Sequence, residues 1–183
     1  ETLADGIAQV VAETCAKLGI EVPRVSFEPG RSIIGPAGVT LYTVGTVKEV
    51  QLDEQTASDL GHTKRTYVSV DGGMSDNARP ALYGAKYTAT LASRRSDAPP
   101  MLTRVAGKHC EAGDILISEV LLPNDLHRDD LLAIPATGAY CWSLSSNYNY
   151  VPRPPVVAVN GGASRRIVRG QTEADLVAQS VTP

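Results

Sequence analysis

The segment Glu28-Pro29-Gly30-Arg31 contains residue types that bind anions. Gly30 has no side chain, so a ligand can approach the backbone closely there, and exposed backbone N–H groups can hold a phosphate. Arg31 can bind a carboxylate through two parallel hydrogen bonds. A Pro-Gly pair is also an ordinary turn, and the segment by itself leaves that alternative open.

A second segment places two polar side chains at helical spacing. Arg79 and Tyr83 follow the turn motif Asp71-Gly72-Gly73 and lie four residues apart. If this segment is helical, both side chains point the same way. Together with Arg31 they suit a ligand that carries more than one carboxylate. Taken alone, each of the two is also typical of an ordinary surface.

Two more segments carry groups that can move a proton or contact a ligand. Cys110 and Glu111 lie in a glycine-flanked loop before an apolar run. A thiol can donate a proton to a carbanion, and a carboxylate can pair with an ammonium group. Tyr140 follows the small residues 136–139, which let a ligand come close to its hydroxyl. The alternatives are a small buried thiol beside a surface acid, and a half-buried aromatic residue at a strand end.

Charge and composition argue against several classes of function. The net charge of −3 gives no electrostatic reason to expect binding to nucleic acid or to an anionic membrane. No apolar run approaches the roughly 20 residues of a membrane span. Cys15, Cys110 and Cys141 are an odd, widely spaced set, which favours free thiols in a reducing cytoplasm. His109 and its neighbours lack the spacing of metal ligands, so we expect no metal site.

The elements that must position these residues change along the chain. Apolar residues at helical spacing predict an opening helix, capped by Gly19 and followed by Pro23. Its apolar positions are Leu3, Ile7, Val10, Val11, Cys15 and Leu18. Val25–Phe27 is then predicted to form a short buried strand. A helix, a short loop and a strand make one unit of an α/β fold, which needs partner strands from elsewhere.

After Gly35 the sequence predicts a mainly β domain, a sandwich or a small barrel. Val39–Leu52 is rich in strand-forming residues, with Gly45 as a candidate bulge, and Thr66–Val70 alternates between apolar and polar residues. Further strands are predicted at 87–92, 115–120, 131–135, 156–159 and 166–169. The polar segment 51–64 is predicted to be a loop or hairpin tip. A short helix with a capping box at its start is predicted at 172–179.

In their order along the chain, these motifs resemble the C-terminal half of diaminopimelate decarboxylases, which are pyridoxal 5′-phosphate (PLP) enzymes of lysine biosynthesis. The resemblance runs from about residue 25 to about residue 160. It implies an N-terminal (β/α)8 barrel followed by a C-terminal β-barrel domain. It also implies decarboxylation of meso-2,6-diaminopimelate to L-lysine and carbon dioxide, in a cytoplasmic homodimer whose active sites are shared between subunits.

The resemblance further implies a role for each motif. The backbone of Glu28-Pro29-Gly30-Arg31 would help to hold the PLP phosphate. Residues at the positions of Arg31, Arg79 and Tyr83 bind the substrate in this family, and the tyrosine at the position of Tyr140 contacts both PLP and substrate.

Cys110 and Glu111 match a pair that reaches into the neighbouring subunit's active site, the cysteine for protonation and the glutamate for substrate recognition. Related ornithine decarboxylases carry an aspartate-bearing motif after the cysteine, whereas this chain has Glu111, which favours diaminopimelate. Two alternatives stay open. One is a related decarboxylase of ornithine, arginine or carboxylated polyamines, and the other is a non-catalytic regulatory relative.

One part of the family's pattern is missing from this chain. PLP chemistry starts from a Schiff base with a lysine, and none of the five lysines lies in the family's context for that residue; they are Lys17, Lys48, Lys64, Lys86 and Lys108. A whole (β/α)8 barrel takes about 250 residues. We therefore expect a C-terminal portion that is inactive alone. In this interpretation residues 1–35 are a remnant of the PLP-binding barrel, and residues 36–183 are the C-terminal β-barrel domain.

Overall fold

The computed structural model describes residues 2–181, in which helical segments precede and follow a group of β-strands. The helices are α1 (Thr2–Leu18), α2 (Gly30–Ile34), α3 (Glu54–Leu60), α4 (Arg79–Tyr83) and α5 (Glu173–Val177). The strands are β1 (Val39–Gln51), β2 (Lys64–Val70), β3 (Thr90–Leu91), β4 (Pro100–Ala106), β5 (Ile115–Pro123), β6 (Leu131–Pro135), β7 (Val156–Asn160) and β8 (Ala163–Val168). Short 3-10 turns lie at Gly35–Ala37 and Tyr148–Tyr150.

Six strands form one sheet in the order β3-β6-β1-β2-β4-β5. Among the described pairs in this sheet, β2 with β4 is the only parallel one. Strand β1 serves two neighbours, because residues 39–43 pair with β6 and residues 44–51 pair with β2. Its register with β2 shifts between Val44 and Val47, which confirms the bulge predicted at Gly45.

The sheet curls around a core of aliphatic side chains. Strand β2 alternates as predicted, since Val68 and Val70 are buried while Tyr67 and Ser69 are partly exposed. The other apolar members of the core include Val44, Val105, Leu116, Leu122, Leu132 and Ile134. The edge strands β3 and β5 contact each other. The sheet is therefore an incomplete barrel with its apolar face inside, which agrees with the mainly β prediction.

The C-terminal part forms a second, two-stranded sheet and a short helix. Strands β7 and β8 pair as an antiparallel hairpin whose residues are largely exposed. Helix α5 begins with the predicted capping box. The Thr172 side chain accepts from the backbone of Asp175, and the Asp175 side chain accepts from the backbone of Thr172.

The N-terminal segment confirms one prediction and contradicts another. Helix α1 forms and ends at Leu18, and the φ of 65° at the next residue, Gly19, gives the left-handed cap. However, the strand predicted at Val25–Phe27 is absent, and Val25 and Phe27 are exposed. A strand forms only against a neighbour, and the described residues provide none there. The apolar stripe of α1 is also uncovered, with Cys15 as its only buried residue.

Three other predictions need correction. Strand β4 was not predicted, because Pro99 precedes it and Pro100 is its first residue, and the pair resembles a loop. The strand expected at 87–92 shrinks to Thr90–Leu91. The expected loop at 51–64 contains α3, which is capped by Asp53 at one end and by Gly61 with a φ of 67° at the other. Within residues 2–181, no helix combines the length and apolarity that crossing a membrane requires.

Candidate functional site

A cavity of about 540 Å³ brings together three of the residues that the sequence indicates as ligand-binding. Arg31, Arg79 and Tyr83 all line it, and so do Lys86 and Tyr87. The cavity thus contains three cationic side chains and two phenols. Because cations and phenol O–H groups donate hydrogen bonds to anions, the arrangement suits a ligand with carboxylate groups.

Two short helices present the arginines to this cavity. Helix α2 begins at Gly30, directly after Pro29, so Arg31 lies in its first turn. Helix α4 begins at Arg79 and has Pro80 in a favourable first-turn position. It ends at Tyr83, and Gly84, which caps it, has a φ of 61°. The helical conformation that the spacing of Arg79 and Tyr83 requires is therefore present, and both side chains line the same space.

Two glycines approach each other closely next to the residues that line the cavity. Gly38 follows the 3-10 turn after α2, and Gly138 follows β6. A Cβ at Gly38 would overlap the backbone of Gly138, and a Cβ at Gly138 would overlap the carbonyl oxygen of Ile34. Backbone hydrogen bonds from Gly138 N to Gly35 O and from Thr137 N to Gly38 O, both 3.0 Å, join the two segments. This contact places Arg31 beside the end of β6.

Tyr140 lies shortly after this glycine contact but does not line the cavity. Its side chain is 52% exposed, and its φ of 64° lies in the left-handed region. That conformation is uncommon for a bulky residue and is typical of turns and ligand-binding segments. The predicted aromatic residue at a strand end is therefore a half-exposed residue of a turn after β6.

Cys110 and Glu111 lie in a loop between β4 and β5 that we call the thiol loop, residues 107–114. Both side chains are exposed, and neither lines the cavity. The loop is held from below by the buried Asp114, whose carboxylate accepts from the backbone N–H of Met74 at 2.7 Å and of His109 at 2.9 Å. The exposed Cys110 and Glu111 side chains therefore lie on a loop whose backbone is anchored through Asp114.

The thiol loop is also tied to the turn that follows β2. The backbone N–H of Lys108 donates to the carbonyl of Gly72 at 2.9 Å. The buried His109 ring makes a hydrogen bond of 2.8 Å from Nε2 to Ser75 Oγ. Sequence reasoning singled out the turn and the loop separately, but it did not show that they are joined. The buried Asp114 could have been noticed, because an acidic residue directly before an apolar strand is unusual unless it is paired.

Below the same turn lies a buried pair of acidic groups. The Tyr42 hydroxyl donates to the Asp76 carboxylate, which also accepts from the backbone N–H of Gly73 at 2.7 Å. Burial raises the pKa of the Asp76 carboxyl above its usual value, and burial together with Asp76 raises the pKa of Tyr42 well above its own. This pair fixes the turn that leads into α4, and it was not predicted from the sequence.

The segment around Gly30 has the properties that a phosphate-bearing cofactor needs. A Cβ placed at Gly30 would meet no atom within 4 Å, so space is open beside the backbone. The Arg31 guanidinium, which lines the cavity, can neutralise an anion there. These residues fit a phosphate group. Lys86, which also lines the cavity, comes from the segment after α4.

Comparison with known proteins agrees with this geometry. The sequence model of the family described as "pyridoxal-dependent decarboxylase, C-terminal sheet domain" matches residues 8–138. The diaminopimelate decarboxylase of Corynebacterium efficiens is 50% identical over 98% of this chain and 38% of its own length. The enzyme of the same name from Bacillus subtilis is 46% identical over 93% of this chain and 36% of its own length.

A solved structure of similar shape is a diaminopimelate decarboxylase from M. jannaschii. It superposes with a TM-score of 0.76 at 30% identity, over 99% of this chain and 38% of that protein. The chain thus spans well under half the length of the curated relatives it matches.

Proposed function

Because the chain belongs to the family of the C-terminal sheet domain of pyridoxal-dependent decarboxylases, we propose that its full protein converts meso-2,6-diaminopimelate to L-lysine and carbon dioxide with PLP. The observation that carries this proposal is the cavity in which Arg31, Arg79 and Tyr83 meet. Two guanidinium groups and a phenol match a substrate with a carboxylate at each end. They give no comparable partner to the distal end of ornithine, which carries an amine and no carboxylate.

Each residue of the cavity has a definite task in this proposal. Arg79 and Tyr83 bind substrate carboxylate, and the i, i+4 spacing on α4 lets both groups reach the same end of the molecule. Arg31 binds both substrate and the cofactor phosphate, with the open backbone at Gly30 beside it. When bound, PLP supplies an electron sink for the bond that breaks. Tyr140 contacts cofactor and substrate from its turn after β6.

We assign proton donation to Cys110 and substrate recognition to Glu111, both in the active site of a second subunit. The support is their exposure on a loop with a fixed base, together with their absence from the cavity of their own chain. The Cys110 Sγ–H would donate its proton to the carbon that has lost carbon dioxide. The Glu111 carboxylate would pair with the distal ammonium group of the substrate. This arrangement requires a homodimer.

The Schiff-base lysine is proposed to come from an N-terminal (β/α)8 barrel in the full protein, with residues 1–35 forming its last unit. The support is the uncovered apolar surface of the N-terminal segment, where Leu3, Val10 and Phe27 are more than half exposed. Such a surface calls for a covering partner. The chain alone is then inactive. We also propose a cytoplasmic location, which the three free cysteines support.

The direct test is carbon dioxide release from labelled meso-diaminopimelate by the full-length protein with added PLP. We expect rapid release that ornithine and arginine do not inhibit in competition. Preferential use of ornithine, arginine or a carboxylated polyamine would establish the related decarboxylase instead. A folded protein that releases no carbon dioxide from any of these substrates would establish the regulatory relative. The 183-residue chain alone is expected to release none.

The shared active site is tested by mixing two inactive full-length variants. One carries Cys110→Ala, and the other lacks the Schiff-base lysine. Heterodimers contain one site with both intact groups, so mixing should restore activity that neither parent shows. Activity that stays at the level of the parents, in heterodimers verified by mass, would contradict the assignment of Cys110 to the neighbouring site.

A further inference from the structure

Arg79 is held inside the cavity by a side chain that the family motifs do not include. Its Nη1 donates to the Tyr87 hydroxyl at 2.8 Å, and its guanidinium lies 5.9 Å from the centre of the Tyr87 ring. Tyr87 lines the same cavity and is partly exposed. An arginine otherwise has many rotamers of similar energy. The contact with Tyr87 therefore selects an orientation in which other guanidinium N–H groups stay available to a ligand.

The Tyr87 hydroxyl is itself oriented by a chain of hydrogen bonds. Because it accepts from Arg79, its own proton must go to another acceptor, and Cys141 Sγ lies 3.5 Å away. The Cys141 thiol then donates to Asn77 Oδ1 at 3.5 Å. The same Asn77 oxygen accepts from the backbone N–H of Arg79 at 3.4 Å. The hydrogen bonds thus run from the Arg79 side chain through Tyr87 and Cys141 to Asn77 Oδ1, and the Arg79 backbone closes the ring by donating to the same oxygen.

The environment keeps this chain of donors protonated. Burial raises the pKa of the Tyr87 hydroxyl and that of the Cys141 thiol above their usual values. Both groups therefore carry their protons at neutral pH. Asn77 and Cys141 are buried, so water competes little for these hydrogen bonds.

We propose that Tyr87 is a positioning residue for substrate binding, which, backed by Cys141 and Asn77, fixes the Arg79 guanidinium to receive a substrate carboxylate. This inference rests on the proposed function, since it assigns Arg79 to a carboxylate. It adds a specificity element outside the motif residues. Arg79 loses its conformational entropy when the protein folds, so less entropy is lost when the ligand binds.

The test is Tyr87→Phe in the full-length protein with PLP. The ring remains, so packing and the ring–guanidinium contact are kept while the hydrogen bond is lost. We expect KM for diaminopimelate to rise about tenfold, the size typical of one hydrogen bond to a charged group, with kcat changed less than about twofold. Binding of L-lysine, which has a carboxylate, should weaken similarly, whereas binding of cadaverine, which has none, should not change.

A matched control is available in a second arginine–tyrosine pair. Arg104 Nη1 donates to the Tyr67 hydroxyl at 3.3 Å, and its guanidinium lies 5.6 Å from that ring, on residues that do not line the cavity. Tyr67→Phe should leave KM and both affinities unchanged. An equal effect of the two variants, or an equal loss of L-lysine and cadaverine binding in Tyr87→Phe, would overturn the proposal by showing a general structural effect.

A second pair of variants keeps the proposal testable if Tyr87→Phe folds poorly. Cys141→Ala removes the acceptor of the Tyr87 proton and should raise KM, whereas Cys141→Ser, which can accept and donate, should restore it. An unchanged KM in Cys141→Ala would overturn the role of the hydrogen bonds that link Tyr87, Cys141 and Asn77. If the wild-type full-length protein fails to release carbon dioxide from diaminopimelate, the proposed function fails. If the wild type is active and KM is unchanged in Tyr87→Phe, only this inference fails.

Discussion

The arginine cavity and the thiol loop are built in opposite ways. In the cavity, charged side chains from two short helices and the segment after α4 converge on one concave space. In the thiol loop, the polar anchors are buried underneath, and the reactive side chains Cys110 and Glu111 are turned to solvent. The turn after β2 links the two regions, because it contacts Asp114 on one side and leads into α4 on the other.

This contrast shows how a single domain can divide the work of a site. A concave set of charges provides affinity, since a ligand can touch all of them at once. In the proposed function, the outward loop would let Cys110 deliver a proton at a fixed position in another subunit, because its backbone is anchored through Asp114. We therefore expect changes in the cavity to act mainly on KM and loss of the Cys110 thiol to act mainly on kcat.

The largest effect is expected for Cys110→Ala in the full-length protein. Loss of a general acid typically lowers turnover by a factor of about 100 or more, so kcat should fall by at least that factor while KM and PLP absorbance change little. Steady-state kinetics and a PLP titration check this. The matched variant Cys15→Ala, in α1, should keep wild-type kcat. A rise in KM without loss of kcat in Cys110→Ala would remove the distinction between the two regions.

Arg79→Ala should give the next largest effect, and it should act on the other parameter. Removing one member of a charged hydrogen-bonded pair costs about 2–3 kcal/mol, which corresponds to a rise of roughly a hundredfold in KM. Arg104→Ala serves as the control, because Arg104 lies outside the cavity. If both variants raise KM equally, the change in KM comes from the net charge of the protein and not from a contact in the cavity.

Stability should also separate the two regions. Gly38→Ala forces a Cβ into the backbone of Gly138, so we expect the free energy of unfolding to fall by about 1–3 kcal/mol. In the thiol loop, a Cβ at Gly113 meets its nearest neighbour only at 4.0 Å, and Gly113→Ala should stay within about 0.5 kcal/mol of wild type. Urea denaturation of the two variants measures both. Equal losses of unfolding free energy would mean that the contact of Gly38 with Gly138 is no more tightly packed than the loop.

The smallest effect concerns an ion pair that belongs to neither region. Arg94 donates to the buried Asp130 and holds the pKa of that carboxyl down at about 2, below its ordinary 3.8. The folded state therefore gains stability above pH 4 and loses it as pH falls from about 4 to about 2. Arg94→Gln should lower the urea midpoint at pH 7, with a difference that shrinks over this range and with unchanged kinetics. A pH-independent difference would show that packing, rather than charge, is lost.

Much of the sheet could be predicted from residue patterns, because its buried strands show alternating apolar and polar residues or runs of β-branched residues. Strand β6 matches its predicted bounds, and β1, β2 and β5 match theirs within a few residues. Strand β4 was not predicted, because prolines lie at its start. Val25–Phe27 failed for a different reason. Its apolar residues favour a strand, but strand formation depends on a neighbour that the described residues do not contain.

The charged residues of the candidate site could be predicted from the sequence, but the residues that hold them in place could not. The motif residues Arg31, Arg79 and Tyr83 meet in one cavity as their types suggested. Tyr87 was missed because a single tyrosine carries no pattern, and its role depends on contacts with Arg79 and with the distant Cys141. Asp114 stands out as an acid before an apolar strand, but its partner Met74 is far away in the sequence. The contact between Gly38 and Gly138 was likewise invisible, since the two glycines lie a hundred positions apart.

The parallel pairing of β2 with β4 has a consequence for how the domain folds. Parallel neighbours cannot be joined by a tight turn, so the chain makes a long excursion through residues 71–99, and that excursion carries Arg79, Tyr83 and Tyr87. The β1–β2 and β4–β5 pairs join nearer segments and lose less chain entropy on closing. We expect these hairpins to form first during refolding and the cavity to be completed last, so that protection of the sheet precedes recovery of ligand binding.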